Sequence, residues 1–272
     1  MSVPPQGPDL RSIKESQQTA WASGDYAVFG ATSLIMGELL CEAVDLRPGQ
    51  RVLDVATGSG NTALAAARRF GRVSGIDYVP ALLDRGRERA TAEHLEVDFR
   101  DGDAENIPFE NASFDVVLST IGVMFAPDQE KAASELLRVC RSGGKIGLAN
   151  WTPDGYAGEF GSLFGRYLPP PPGVAPPVVW GTEDGLRELL GGPGDLQVAR
   201  RSFVFRYRSV RHYLDVLQTY LGPAREALLA LDSPQRESLV GEIVDLIARF
   251  NRADDGTMVV PSDYLEVVMT RG

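Results

Sequence analysis

The sequence is short of cysteine, histidine and positive charge. Cys41 and Cys140 are its two cysteines, and neither lies in a metal-ligand spacing. They read as buried thiols of a reducing cytoplasm. His94 and His212 are its two histidines. The 27 Lys and Arg are outnumbered by 37 Asp and Glu, a formal charge of −10. Such a surface repels phosphate backbones and argues against RNA or DNA as substrate. No apolar run reaches the length of a membrane span, and the proline-rich, polar start from Met1 to Asp9 has no secretory apolar region. No internal repeat is visible. What remains is 272 residues with 43% hydrophobic content, enough for one large domain or two small ones around a real core.

The chain is organised around Val52-Leu53-Asp54-Val55-Ala56-Thr57-Gly58-Ser59-Gly60-Asn61-Thr62-Ala63. An apolar, β-branched strand leads into a glycine turn, and an alanine-rich helix runs from about Leu64 to Phe70. Gly58 and Gly60 let the backbone turn sharply and approach a ligand, while the helix start offers free N–H groups. Gly58-x-Gly60-x-x-Ala63 fits the loose dinucleotide fingerprint. Asp54 is an acid in an otherwise apolar strand, which requires a bonding partner or a site. It reads either as a cofactor-site residue or as a structural acid bonded to the loop's own N–H groups.

Further along, strands alternate with helices. Residues 1–12 are expected to be disordered. Interrupted helices follow to Val44, with a break at Trp21–Tyr26. Val73–Asp77 is a short strand ending in an acid that can accept from both hydroxyls of a ribose. Pro80 opens a helix to about Glu93, and Leu95–Phe99 is a third strand. Phe114–Ser119 is a fourth. Asp128 caps a helix to Cys140 that Gly143-Gly144 stop, and Lys145–Trp151 is a fifth strand. This alternation demands a parallel, helix-covered sheet. Residues 153–193, with four consecutive prolines from Pro169, read as a cap. A long strand, Leu196–Arg208, two or three helices from Val210 to Phe250, and a closing strand Leu265–Thr270 complete the chain.

Five pieces in this order resemble the class I S-adenosylmethionine (SAM)-dependent methyltransferases, especially the ubiquinone/menaquinone type. They are Asp54–Gly60, Gly75-Ile76-Asp77, Gly102–Phe109, Phe114–Val117 and Arg141–Lys145. The resemblance implies an α/β, Rossmann-like sheet, mostly parallel with a reversed edge strand. It implies one domain over 13–272, with an N-terminal helical lid (13–46), a SAM-binding core (47–152), a cap (153–193) and C-terminal strands with inserted helices (194–272). Ala56, Thr57, Gly58, Ser59 and Gly60 would pack against the methionyl part of the cofactor. Asp77 would hold the ribose hydroxyls, with Tyr78 beside the adenine. Asp103 and the Ala104 N–H would recognise the adenine ring. Ser119, Thr120 and Ile121 would border the methionyl group. Ala56 departs from the family's first glycine. The Asn/Asp-Pro-Pro-Tyr signature is absent, since Ser119-Thr120-Ile121-Gly122 stands there, which weighs against amide and adenine-amino substrates. No metal-ligand cluster appears.

Trp21, Tyr26, Phe29, Phe125, Trp151, Phe160, Phe164 and Trp180 read as the wall of an apolar acceptor pocket or as ordinary core. Residues 153–193, with Trp21 and Tyr26, are expected to close over that pocket. His212 reads as a general base, or as a packing histidine. The arginines from Arg200 to Arg211 read as a solvated face or an anion clamp. The expected function is cytoplasmic methyl transfer from SAM to a small, partly apolar metabolite, mainly by positioning, leaving S-adenosylhomocysteine. No nucleic-acid or membrane partner is expected, and a homodimer is left open. The alternatives are an NAD(P)-dependent oxidoreductase and a non-catalytic SAM-binding regulator.

Overall fold

The computed structural model describes residues 8–191 and 194–272. Its strands are β1 (Arg51–Val55), β2 (Arg72–Asp77), β3 (Val97–Asp101), β4 (Phe114–Thr120), β5 (Cys140–Trp151), β6 (Gly194–Tyr207) and β7 (Met258–Arg271). They form one seven-stranded sheet of order β3-β2-β1-β4-β5-β7-β6. The pairs among β1 to β5 are parallel, while β7 runs antiparallel to both β5 and β6. The fold class is the α/β, Rossmann-like one expected. The reversed strand, however, is longer than Leu265–Thr270 and lies one place in from the edge. The edge itself is β6, whose fourteen-residue register with β7 buries Phe203, Phe205 and Tyr207 on one face.

The helices are α1 (Leu10–Ala22), α2 (Tyr26–Gly30), α3 (Leu34–Ala43), α4 (Asn61–Arg68), α5 (Pro80–Ala92), α6 (Gln129–Val139), α7 (Tyr156–Tyr167), α8 (Glu183–Leu190), α9 (Val210–Tyr220), α10 (Gly222–Ala230) and α11 (Ser233–Phe250). One core lies between the sheet and α6 and α8, with Leu136, Ile146, Leu148 and Trp180 fully buried. A second packs α3 and α4 on the opposite face. A third gathers α7, α9 and α11 over β6 and the start of β7.

Three local expectations change. Residues 10–12 are helical, because the Asp9 carboxylate caps α1 by accepting from the Ser12 N–H at 3.2 Å; residues 1–7 lie outside the described ones. Gly143-Gly144 do not stop a helix. α6 ends at Val139, and these glycines form an irregularity inside β5, where pairing with β4 jumps from Phe114↔Cys140 to Val116↔Lys145. A Cβ on Gly144 would meet the Asp115 carbonyl at 2.8 Å, so the bulge depends on glycine there. Finally, one eighteen-residue stretch, Tyr26–Ala43, does reach spanning length and apolarity. It is divided into α2, a 3-10 turn at Ala31–Ser33 and α3, and α3 packs its Leu40 and Cys41 into the core.

Candidate active site

The strand order reverses between β1 and β4, which leaves a crevice at their carboxyl ends. The glycine turn occupies it. Ala56, Gly58 and Gly60 have φ of +53°, +54° and +84°. A left-handed alanine costs about 1 kcal/mol, so the Ala56 position favours glycine on backbone grounds even though alanine fills it here. Gly60 also admits Phe99, whose ring would stand 2.8 Å from an added Cβ.

Buried carboxylates hold the turn. Asp54 Oδ2 accepts from the Thr57 hydroxyl at 2.6 Å and the Ala63 N–H at 2.9 Å. The structural role considered for this acid is therefore present, and its side chain also borders the cavity. Burial pushes its pKa up to about 7, against the pull of those two hydrogen bonds. Asp77 Oδ2 accepts from the Gly58 N–H at 2.8 Å, and Oδ1 from the Val79 N–H at 2.9 Å. Burial raises it to about 6. Each of its oxygens keeps a lone pair for a ligand hydroxyl. The Ser119 hydroxyl donates to the Val55 carbonyl at 2.8 Å and accepts from the Val123 N–H, tying β1 to β4 beneath the cavity.

The cavity above encloses about 1020 Å³, including its open mouth. Ten of the thirteen expected cofactor residues line it: Asp54, Ala56, Thr57, Gly58, Asp77, Tyr78, Asp103, Ala104, Thr120 and Ile121. Ser59, Gly60 and Ser119 stand behind the wall. Of the expected acceptor residues, Trp21, Tyr26 and Phe125 line it, joined edge to face through Trp21 with centroids 5.5 Å apart in both pairs. Tyr26 leans over Gly58 and is raised to about 12 by burial and then by the Asp77 charge.

The other aromatic residues lie elsewhere. Trp180 is fully buried in the α6/α8 core. Trp151 packs on Phe203, Phe205 and Tyr264, and Phe160 and Phe164 pack on each other beside Tyr156. Phe29 touches Tyr26 at 6.2 Å and faces the third core. His212 also does not line the cavity. It sits in the first turn of α9, where Nδ1 accepts from the Arg208 N–H at 3.3 Å and the ring packs on Tyr207. The arginines of β6 are an exposed face: Arg200 meets Asp154 and Asp263, Arg201 meets Glu266, and Arg206 donates to the Val204 carbonyl.

Residues 153–191, the described part of the expected cap 153–193, likewise contribute no lining residue; Gln129 on α6 donates to the Ala175 and Pro176 carbonyls and holds that segment on the outer face. The element over the cavity is α1. Lys14 Nζ meets Asp103 Oδ2 at 2.6 Å and also pairs with Glu105. Gln17 donates to the Phe125 carbonyl at 3.1 Å, and Gln18 donates to the Tyr78 carbonyl. Lys14 carried no motif that could mark it. Asn61, Thr62, Gly102 and Glu105 line the cavity too; Gly102 and Glu105 fall inside a stretch that carried the resemblance, and Asn61 and Thr62 directly follow another.

The crevice thus gathers a glycine turn at the switch point, an acid in β1, one ending β2 and a third just past β3. A methyltransferase-domain family model matches residues 52–144. The chain belongs to the class I SAM-dependent methyltransferases. An uncharacterised protein of Mycobacterium tuberculosis is 42% identical over 236 residues, 85% of this chain and 86% of that one. A demethylmenaquinone methyltransferase of Deinococcus radiodurans is 38% identical over 121 residues, 44% of this chain and 50% of its own. Among solved structures, a phosphoethanolamine N-methyltransferase of Haemonchus contortus in complex with SAM shares the fold. Its TM-score is 0.53 at 19% identity, over 87% of this chain and 52% of that one. These matches give no support to the oxidoreductase alternative.

Proposed function

We propose that this protein transfers the methyl group of SAM to a small, partly apolar acceptor. One observation carries the cofactor assignment. Four carboxylates, Asp54, Asp77, Asp103 and Glu105, face the cavity, and its one lysine, Lys14, is already paired with two of them. Such a lining repels a pyrophosphate and suits a sulfonium carrying an ammonium group and a ribose. Asp77 takes the ribose hydroxyls, Asp103 the adenine amino group, with Tyr78 and Ala104 beside the ring. Ala56–Gly58 and Thr120–Ile121 hold the methionyl part. When bound, SAM supplies an activated methyl group.

The residues then have three tasks. They hold the sulfonium still, they align an acceptor lone pair with the S–CH3 bond, and they exclude water. The acceptor lone pair forms the new bond, the S–CH3 electron pair stays on sulfur, and the acceptor proton leaves to solvent. Phe125, Trp21 and Tyr26 give the apolar rim. The demethylmenaquinone enzyme matches 44% of this chain, and the family model covers 52–144, which carries the glycine turn; together they support the donor and not the acceptor.

Titration calorimetry with SAM, S-adenosylhomocysteine, NAD⁺ and NADP⁺ tests the cofactor. Binding of the first two alone is expected, and preferential NAD(P)⁺ binding would overturn the reading. Labelled-methyl transfer across a panel of acceptors, with S-adenosylhomocysteine released in step, separates an enzyme from a SAM-binding regulator.

A further inference from the structure

At the end of the cavity where Asp103 and Glu105 stand, a side chain of the protein itself already takes their charge. Each carboxylate is held from behind by backbone. Asp103 Oδ1 accepts from the Glu105 N–H at 2.8 Å, and Glu105 Oε1 accepts from the Asp128 N–H at 2.8 Å. The two remaining oxygens, Asp103 Oδ2 and Glu105 Oε2, converge on the Lys14 ammonium, which lines the same cavity. The Glu105 side chain is 6% exposed, so loss of that ammonium leaves a buried charge beside a like one. Lys14 belongs to α1, and α1 is fastened unequally along its length. At its C-terminal end Arg225 of α10 donates to the Ser23 carbonyl at 3.0 Å, and Gly222 lies so close to the Ala20 carbonyl that a Cβ would collide with it. Before that point the ties across the crevice are side chains: Lys14, Gln17 to the Phe125 carbonyl and Gln18 to the Tyr78 carbonyl. Lys14 is the charged one among them.

Resting on the cofactor reading above, we propose that Lys14 is a latch: its ion pairs with Asp103 and Glu105 hold α1 shut over the cofactor cavity, and the cofactor enters and leaves only when those pairs break and α1 pivots about residues 20–24. The pivot follows from the unequal fastening, since backbone packed against α10 stays in place while side-chain ties let go. The return stroke follows from the two carboxylates, which face each other unpaired whenever Lys14 is out. The open state is therefore costly and short-lived. With cofactor bound, the adenine amino group shares Asp103 and Lys14 keeps Glu105, so the latch closes again behind the ligand. A device of this kind sets rates in both directions and has little effect on affinity, because the same pairs must break on the way in and on the way out.

Stopped-flow binding of S-adenosylhomocysteine, followed by tryptophan fluorescence, tests this, with Trp21 on the cavity rim as a reporter. This ligand has no net charge at neutral pH, so long-range steering does not act on it and salt acts on the latch. Wild-type association should speed up from about 20 to about 300 mM NaCl, as the pairs are screened. Lys14→Met should associate and release about fivefold faster at low salt, the scale of one partly exposed ion pair. It should lose the rise with salt and keep a near-native Kd. Lys14→Arg, which retains the charge, should behave as the wild type. Association of Lys14→Met no faster than wild type would overturn the latch. So would faster release at an unchanged association rate, since Lys14 would then be a cofactor contact. Wild-type association that is flat or falls with salt would also overturn it. A wild-type protein that fails to bind S-adenosylhomocysteine at all would instead overturn the cofactor reading beneath it.

Discussion

At the scale of single residues, the site is a set of buried carboxylates whose backbone bonds leave lone pairs for a ligand. Asp77 is the sharpest case. Both of its oxygens accept from the glycine turn and the start of α5, so its position is held without any ligand. Replacing it by alanine should weaken SAM binding by about 1.5–3 kcal/mol, the scale of charge-assisted hydrogen bonds. Calorimetry that finds unchanged affinity would remove Asp77 from the site. His212 gives the opposite expectation. Its Nδ1 is taken by a backbone N–H, and its ring lies on the outer side of Tyr207. His212→Gln should therefore keep near-native turnover and an unchanged pH–rate profile once the acceptor is known. A drop of about 10²-fold would restore it as a general base.

At the scale of elements, α1 is the part expected to move. It buries none of its residues, and polar bonds from Lys14, Gln17 and Gln18 hold it across the cavity rim. A helix fastened by exposed and half-buried polar groups opens at low cost compared with one seated in a core. Amide exchange over residues 10–22 should be fast in the free protein, faster in Lys14→Ala, and slowed by S-adenosylhomocysteine. Residues 177–190, packed on the far side of α6, should show little change on ligand binding. Protection in that segment without protection in α1 would reverse the assignment of the closing element.

For the molecule as a whole, the buried acids tie stability to pH. Asp54 is raised from an ordinary 3.8 to about 7, so between those values the folded protein keeps a proton that the unfolded chain releases. Stability from this group is thus fully present below the lower value and falls as pH rises through the window. Asp77, raised to about 6, acts with the same sign. Asp54→Asn keeps an oxygen for the Thr57 hydroxyl and the Ala63 N–H but cannot ionise. Its stability relative to the wild type should therefore increase from about pH 4 to about pH 7 and then level off. Urea unfolding at several pH values measures this, and a flat difference would mean that Asp54 is not raised.

While Asp103 came with the family resemblance, periodicity and turn chemistry along the chain were sufficient for the alternating strands and helices, the glycine turn, and the acids Asp54 and Asp77. Each depends on neighbours within a few residues or on the strand that carries it, and such short-range rules are written in the sequence. The fold decided what depends on distant docking. Lys14 reaches Asp103 across 89 residues of chain, and nothing near it in sequence marks it for that place. β7 inserts between β5 and β6 because its long register with β6 and its pairing with β5 satisfy the backbone groups along both of its edges, a choice no local pattern contains. The aromatic residues divided in the same way. Trp21, Tyr26 and Phe125 reached the cavity and Trp180 the core, because an apolar ring satisfies either burial equally and only packing between elements tells them apart.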